Sequence, residues 1–598
     1  MVGAVKRRNI DMDKVCKYLT YAFLILMVVW RIPFLNKGID YTDTGFNMTN
    51  YRDFFVDLSD NGIGMFFTNF IGAVIYNMLP SHQLLVFRII HLMMWSSTFL
   101  LIYFTFRKQT PSYFNVVLSA FLLVVSSYQK IGEAMYSYYP FSMLMVAIAT
   151  YLVYTALVRD KKLRLFIGGV VLGLNVGVRL PNVLFFALVV AVFWYYLCKK
   201  EVKTGFFRSG IMLGGAFAGL AVMMSFEFLL LGSSAVYGSA NNYSNLASSS
   251  SQDHGIINQI LHIFEQVYIG VISIIKYIFP VVVAGFIFAL LYKLVFKNYK
   301  EKTWYKVLLY IGVALIAFVW IVIRGTLEST RFVHIFGLVA LVFGVIGVFG
   351  FMRKQPQLSA AMVMCIISAG CIIAGTDLGI TRFVDVLPQL CVLLLFGATC
   401  IVPCAVKSKG KLKYNISLCY DSLSKIIVVT LFTFALVNSI FAMIPNTYND
   451  ARFGNLTTGV SKEIPVLRGM KTTPERAESI NNLYKIMTTS DLVKDREVVS
   501  VGMFPLIFNI IENENYFSSP CIDYNSISAP GLVARYERKK EQGIHPVIVI
   551  SRVHMIQNDL DSYCEDEDKV LLIDRMLSEY DYELLFTDTY FDVWIPVD

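Results

Sequence analysis

Two carboxylates and three arginines carry the chemistry that this sequence suggests. Asp40 and Asp43 stand three residues apart in the run Gly38-Ile39-Asp40-Tyr41-Thr42-Asp43-Thr44-Gly45-Phe46. A carboxylate at a membrane surface can act as a general base, taking the proton of an acceptor hydroxyl. Partial burial against lipid or aromatic neighbours tunes such a group towards the working pH. The same residue type also begins helices, so Asp43 equally suits the start of a helix over about residues 47–58, which bears Arg52 and Asp53.

Arg179 lies in Gly177-Val178-Arg179-Leu180-Pro181, inside an apolar stretch. An arginine there costs about 2.5–3.5 kcal/mol on insertion scales, which asks for a partner. Its planar fork suits the phosphate of a lipid-linked substrate, and its long stem also allows it to reach the headgroups. Arg331 and Arg382 sit in two turns that share a pattern, Gly325-Thr326 to Thr330-Arg331-Phe332-Val333 and Gly375-Thr376 to Thr381-Arg382-Phe383-Val384. If the turns are equivalent, both guanidinium groups face one side and suit phosphate; short turns also match by coincidence. Between Gln129 and Pro140 lie Lys130, Glu133, Tyr136, Tyr138 and Tyr139. Tyrosines at this depth form an interfacial belt, and the same rings can stack on a sugar or prenyl group. His254, beside Asp253 in a polar loop, reads as a solvated histidine.

The elements that must position these groups are membrane helices. Of 598 residues, 56% are hydrophobic and 16% charged, and the mean hydropathy is +0.59. Soluble domains average about 25% charged residues. Apolar runs fall at about 17–34, 83–105, 113–128, 141–158, 164–180, 182–198, 208–232, 274–296, 304–323, 334–352, 358–375, 385–404 and 425–444. Each is near the length that spans a bilayer. The fold class expected is a polytopic α-helical membrane protein of about thirteen spans, residues 1–444, with a small C-terminal α/β domain, residues 445–598. The split around Arg179 and Pro181 is either a helix pair or one broken helix.

Seven basic clusters fix an expected orientation, from Lys6, Arg7 and Arg8 through Arg107 and Lys108 to Lys411 and Lys413. They fall on one side if the spans are as given. The positive-inside rule puts that side and the N-terminus in the cytoplasm, and an odd number of spans puts the C-terminal domain outside. The net charge of +9 is therefore an orientation signal and not a nucleic-acid one. Lys6, Arg7 and Arg8 precede an apolar run that reaches Trp30 without a small-residue cleavage site, so it reads as an uncleaved first helix.

Residues 233–260 are rich in Ser and Asn and read as a mobile loop; 63–80 and 257–273 read as helices lying along the interface. In the tail, Thr473-Pro474-Glu475 is a helix start, and β-rich runs follow at Val498–Val501, Val547–Ile550, Leu584–Phe586 and Phe591–Ile595. The ten cysteines show no metal spacing, and those in apolar runs read as small buried side chains. Cys521 and Cys564 can pair only if the tail faces an oxidising space.

A loop after the first helix with an acidic residue, then Gly and an aromatic, then an interfacial helix, resembles the GT-C glycosyltransferases, among them the protein O-mannosyltransferases and aminoarabinose transferases. Asp43-Thr44-Gly45-Phe46 aligns with their Asp-Glu-Gly-Tyr-like segment. Thr44 replaces the second acid, and Asp40 is the candidate to substitute for it. The resemblance implies transfer of a sugar from a polyprenyl-phosphate carrier to a glycan, lipid or protein acceptor outside the plasma membrane. Asp43 would be the base, and Arg179, Arg331 and Arg382 would hold the carrier phosphate, with Lys130, Glu133, Tyr138 and Arg52 as further substrate contacts. No cofactor is certain and a divalent cation stays open; membrane lipids are partners and nucleic acid is not. The rival readings are a transporter or flippase for a lipid-linked glycan, for which Glu227 is the main mid-span charge, and a non-catalytic protein of envelope assembly.

Overall fold

The computed structural model describes residues 11–56, 58, 63–129, 134–248, 256–296, 303–376, 378–404, 411–446, 450–511, 513–517, 522, 529–552 and 567–597. Lys130, Glu133, His254, Cys521 and Cys564 lie outside them.

Every expected apolar run falls on helix: α1 Met12–Val29, α4 Gln83–Phe106, α5 Ser112–Val125, α6 Tyr138–Arg159, α7 Lys162–Val178, α8 Val189–Cys198, α9 Val202–Ser248, α11 Phe279–Val295, α12 Thr303–Arg324, α13 Ser329–Phe351, α14 Pro356–Ala374, α15 Leu387–Cys404 and α16 Lys411–Asn438. Among the described residues, 11 helical stretches are long and apolar enough to cross a membrane. The α5 stretch is a shorter apolar helix, and α7 has 17 residues. The chain is thus a polytopic α-helical membrane protein with a small C-terminal sheet domain.

Two stretches differ from the sequence expectation. Residues 233–248 continue α9 past a bend at Gly232 (φ 79°, ψ 165°) where a mobile loop is expected. The segment expected along the interface, α10 Ile256–Ser273, runs through a π-turn at Ile274–Ile278 into α11. The combined apolar stretch Ile257–Val295 has 39 residues. At 1.5 Å per residue it is about 58 Å long, roughly twice the hydrocarbon thickness. Apolar composition alone cannot tell a spanning turn of helix from one that runs on beyond the bilayer, which is why the pattern marks only part of it as a span.

Helix α7 is held by α9 along a seam of small residues. A β-carbon added at Gly173 would stand 2.1 Å from Ala216 O, and one at Gly219 would stand 2.2 Å from Val170 O. The backbones approach closely because lipid offers no hydrophobic drive and contact area must come from tight apposition. This fixes the end of α7, where Arg179 begins the next segment.

The tail carries four strands in the order β3–β4–β6–β5: β3 Val498–Val501, β4 Val547–Ser551, β5 Tyr582–Thr587 and β6 Phe591–Pro596. β3 and β4 are parallel; the other pairs are antiparallel. Both β3 and β4 are buried at every position, as their continuous Val/Ile runs require. A two-residue pair, β1 Thr458–Gly459 and β2 Lys471–Thr472, precedes α17 Pro474–Thr489. Thr473 caps α17 by accepting from Arg476 N at 3.3 Å, with Pro474 at the first helical position.

The tail is not a separate body on a tether. One apolar cluster joins Ile39, Tyr41, Met48 and Tyr51 of the first loop to Leu467, Phe504, Leu506 and Phe591 of the tail. Lys471 N donates to Asn36 O at 2.8 Å, and Gly38 N to Lys471 O at 2.9 Å. The tail therefore sits directly on the first loop.

Candidate functional site

The first loop is built from its anchors inward. Arg88 of α4 is buried, and its guanidinium donates to Leu35 O, Lys37 O and Gly38 O at 3.2, 2.8 and 2.8 Å. From the tail, Asp450 accepts from Ile39 N at 2.8 Å, Thr472 Oγ1 at 2.8 Å and Arg476 Nη1 at 3.1 Å. Burial pushes the Tyr41 phenol well above its ordinary range, and the neighbouring Arg476 opposes that rise.

Asp40 and Asp43 divide between two jobs. Asp40 is fully buried and accepts from Thr42 N at 3.2 Å, Thr42 Oγ1 at 2.8 Å and Thr44 N at 2.8 Å. It closes an Asx turn and satisfies a donor at the start of α2 Asp43–Asp53. The helix starts four residues earlier than 47 for that reason. Asp43 is the first residue of α2 and is exposed, where the helix dipole favours a negative charge.

Arg179 stands in extended backbone (φ −158°, ψ 125°) between α7 and a 3-10 helix over Leu180–Leu188. The chain reverses here into a helix pair: Tyr196 Oη, at the end of α8, donates to Asp160 Oδ1, just before α7, at 3.5 Å. Asn182 holds the break, donating from Nδ2 to Asn175 O at 3.0 Å and Asn175 Oδ1 at 3.2 Å. Arg179 faces the rings of Tyr138 and Tyr139, its guanidinium carbon 5.5 and 4.9 Å from their centroids.

Arg382 comes to the same ring pair, 3.7 Å from the centroid of Tyr139. It rides on a 3-10 helix over Gly379–Val386. Two contacts fix that turn. Gln266 of α10 accepts from Ile380 N at 2.6 Å and donates to Leu378 O at 3.1 Å. His334 Nε2 of α13 meets Thr381 Oγ1 at 3.0 Å. Asp385, one turn on, has 7% of its side chain exposed and lies 3.8 Å from Arg382 Nη1. Tyr138 lies within electrostatic reach of Arg179, Arg382 and Asp43. Asp43, Arg179, Arg382 and Tyr138 are thereby brought together, with Tyr139 and Asp385 added.

Arg331 and Arg52 are elsewhere. Arg331 sits in the first turn of α13 and pairs with Glu328 at 3.6 Å, half its side chain exposed. The two similar turns thus differ in form: one starts an α-helix and the other winds as a 3-10 helix. Arg52 forks onto its neighbour Asp53 at 2.5 and 2.8 Å, at the far end of α2 from Asp43. Glu227 is buried in α9. Cys365, Cys371, Cys391 and Cys400 are buried. Among the described residues, no group of three or more His, Cys, Asp or Glu is arranged to hold a metal ion.

Three participants escaped the sequence reading. Asp385 is a charge inside an apolar run, three residues after Arg382, and that spacing was available as a signal. Gln266 and Asp450 act across more than a hundred and more than four hundred residues of chain, to Ile380 and Ile39, and nothing local marks them.

Fold and site together define a many-helix membrane protein whose tail covers the loop carrying an exposed carboxylate, next to a pair of arginines on two tyrosine rings. No protein-family model matches the chain, and neither does any curated protein sequence. Two solved structures are similar in overall fold, each at 12% identity and a TM-score of 0.45. One is the Archaeoglobus fulgidus oligosaccharyltransferase tethered with an acceptor peptide, covering 97% of this chain and 74% of that one. The other is ArnT from Cupriavidus metallidurans bound to undecaprenyl phosphate, covering 97% of this chain and 98% of that one.

Proposed function

We propose that this chain transfers a sugar from a polyprenyl-phosphate carrier to an acceptor hydroxyl at the membrane face that bears the tail. The observation that carries this reading is the convergence of Arg179 and Arg382 on Tyr138 and Tyr139, with Asp43 in electrostatic reach. The two guanidinium groups stand with the carboxylate of Asp385 beside Arg382 and that of Asp43 in reach of the same ring pair. A guanidinium can offer a phosphate two parallel hydrogen bonds. The two rings pack against the guanidinium groups and help to hold them in place.

Asp43 acts as the base. It takes the proton of the acceptor hydroxyl as that oxygen bonds to the anomeric carbon. The bond from the anomeric carbon to the phosphate oxygen breaks, and the carrier phosphate departs with the electron pair, held by Arg179 and Arg382. Holding donor and acceptor on one face supplies much of the effective concentration. Asp40 serves by capping α2 and so aiming Asp43. Residues 1–444 form the catalytic body and 445–598 cover it, with the N-terminus cytoplasmic and the tail outside the plasma membrane, as the basic loops suggest.

The test is glycosyl transfer by purified protein supplied with a polyprenyl-phosphate sugar. Asp43→Asn removes turnover and keeps donor binding. Full turnover in that variant eliminates Asp43 as base, and donor transport without transfer replaces this reading with a flippase.

A further inference from the structure

A second site lies between the tail and the far end of α2. A cavity of about 530 Å³ opens there, walled by Arg52 and Asp53 of α2, Tyr76 of α3, Gln83 of α4 and Tyr484 and Asn509 of the tail. Its volume is in the range of small-molecule sites. α3 spans Phe66–Met78.

The polar wall asks for hydrogen-bond donors. Gln83 is 6% exposed; its Nε2 donates to Leu79 O at 2.8 Å, while its Oε1 has no partner. Asn509 is 7% exposed; its Nδ2 donates to Thr49 Oγ1 at 2.7 Å, while its Oδ1 has no partner. Both oxygens are sealed from solvent in residues that line the cavity, and a buried acceptor without a donor costs about 1–3 kcal/mol. Asp53 and Glu514 add carboxylates to the wall, and the guanidinium of Arg52 is already forked onto Asp53. A phosphate would meet these two carboxylates, while Val56, Pro465, Val466, Phe508, Ile510 and Ile511 add apolar surface. Tyr76 and Tyr484 supply aromatic faces.

We infer that this cavity binds a neutral saccharide. Hydroxyl groups in number, no negative charge and apolar C–H faces are what this wall accepts. Arg52 stands nine positions after Asp43 on α2, about 14 Å along the helix. A bound sugar therefore lies well away from Asp43, and only an extended oligosaccharide reaches from one to the other. That the saccharide belongs to the acceptor rests on the glycosyl-transfer reading; the saccharide site itself does not. Because ten of its fifteen lining residues come from the tail, the site exists only while the tail is docked.

Saturation-transfer NMR on the detergent-solubilised full chain tests this. The probes are neutral trisaccharides of glucose, N-acetylglucosamine and mannose, with a serine-rich peptide and inorganic phosphate alongside. At least one trisaccharide gives transfer. The signal falls several-fold to about tenfold in Gln83→Leu and in Tyr484→Ala, the loss of one hydrogen bond or one stacked ring. It is kept in Asp43→Asn. Tyr484 is half-buried, so its variant keeps the test alive if Gln83→Leu lowers the melting temperature. No transfer to any of the three sugars, a signal that survives both variants, or transfer to the peptide or phosphate alone overturns the site. Saccharide binding with no glycosyl transfer leaves the site standing and removes the function proposed above.

Discussion

Arg382 stacks on Tyr139, its guanidinium carbon 3.7 Å from the ring centroid, while Arg179 approaches the same ring at 4.9 Å. Two like charges meet at one ring, with Asp385 3.8 Å from Arg382 and Asp43 in electrostatic reach of the neighbouring Tyr138. Arg382→Gln and Arg179→Gln should each weaken binding of undecaprenyl phosphate by about 10–100-fold, the worth of a charge-assisted hydrogen bond. Arg331→Gln should leave it unchanged, since Arg331 is engaged with Glu328 away from the rings. Titration of the lipid into nanodisc-embedded protein reads all three. Equal losses at Arg331 and Arg382 would mean a general charge effect and no defined phosphate site.

The two aspartates should separate cleanly by readout. Asp43→Asn should abolish transfer with an unchanged melting temperature, because the side chain is exposed. Asp40→Ala strips three hydrogen bonds from the start of α2. It should lower stability by about 0.5–2 kcal/mol, the worth of a helix cap, and reduce activity only through the lost aim of Asp43. Asp40→Asn keeps an acceptor oxygen and should recover much of both. A stable Asp40→Ala protein without turnover would reverse the two assignments.

The spans, the tail strands and the cap at Thr473 are legible in the sequence because each rests on local periodicity or capping chemistry. The site is legible only in part. Asp43, Arg179, Arg382 and Tyr138 stand out as polar groups at the ends of apolar runs. Arg331 carries the same local signature as Arg382, yet a pairing with Glu328 three residues before it changes where its guanidinium goes. Short turn motifs do not encode helix type, so an α start and a 3-10 winding share one sequence pattern. The clamp by Gln266, the latch by Asp450 and the shared core of Tyr41 with Phe504 depend on contacts between distant segments. No window of sequence contains both partners.

Gly45 makes the docking of the tail sensitive to a single methyl group. A β-carbon there would stand 2.3 Å from Leu506 N and 2.7 Å from Leu506 Cα. Both are backbone atoms and cannot swing aside. Gly45→Ala should cost about 1–3 kcal/mol as an overpacked contact. Asp450→Ala, which leaves Arg476 and Ile39 N without their acceptor, should cost about 3–5 kcal/mol as a broken buried pair. Limited proteolysis of both variants should release the tail faster than in the wild type. Unchanged cleavage would show that the apolar cluster alone holds it.

The tail should also carry an acid-sensitive contact. Glu579 accepts from Lys540 Nζ at 2.6 Å, Tyr536 Oη at 2.7 Å and Arg575 Nε at 2.5 Å. Hydrogen bonds from Lys540, Tyr536 and Arg575, in that order, pull its carboxyl down to about 2. An unfolded glutamate titrates near 4.3. The folded state therefore binds the proton less well, and the stabilisation is fully present above about pH 4.3 and is lost as the pH falls through about 2. Both cations are solvent-facing, so salt weakens the effect. Glu579→Gln should flatten this part of the acid limb while changing little about the limb's other carboxylates. Fluorine NMR of fluorotryptophan at Trp594, on β6 of the same sheet, follows tail unfolding in the full chain. An acid limb identical in the variant and the wild type would assign the loss of stability to groups other than Glu579.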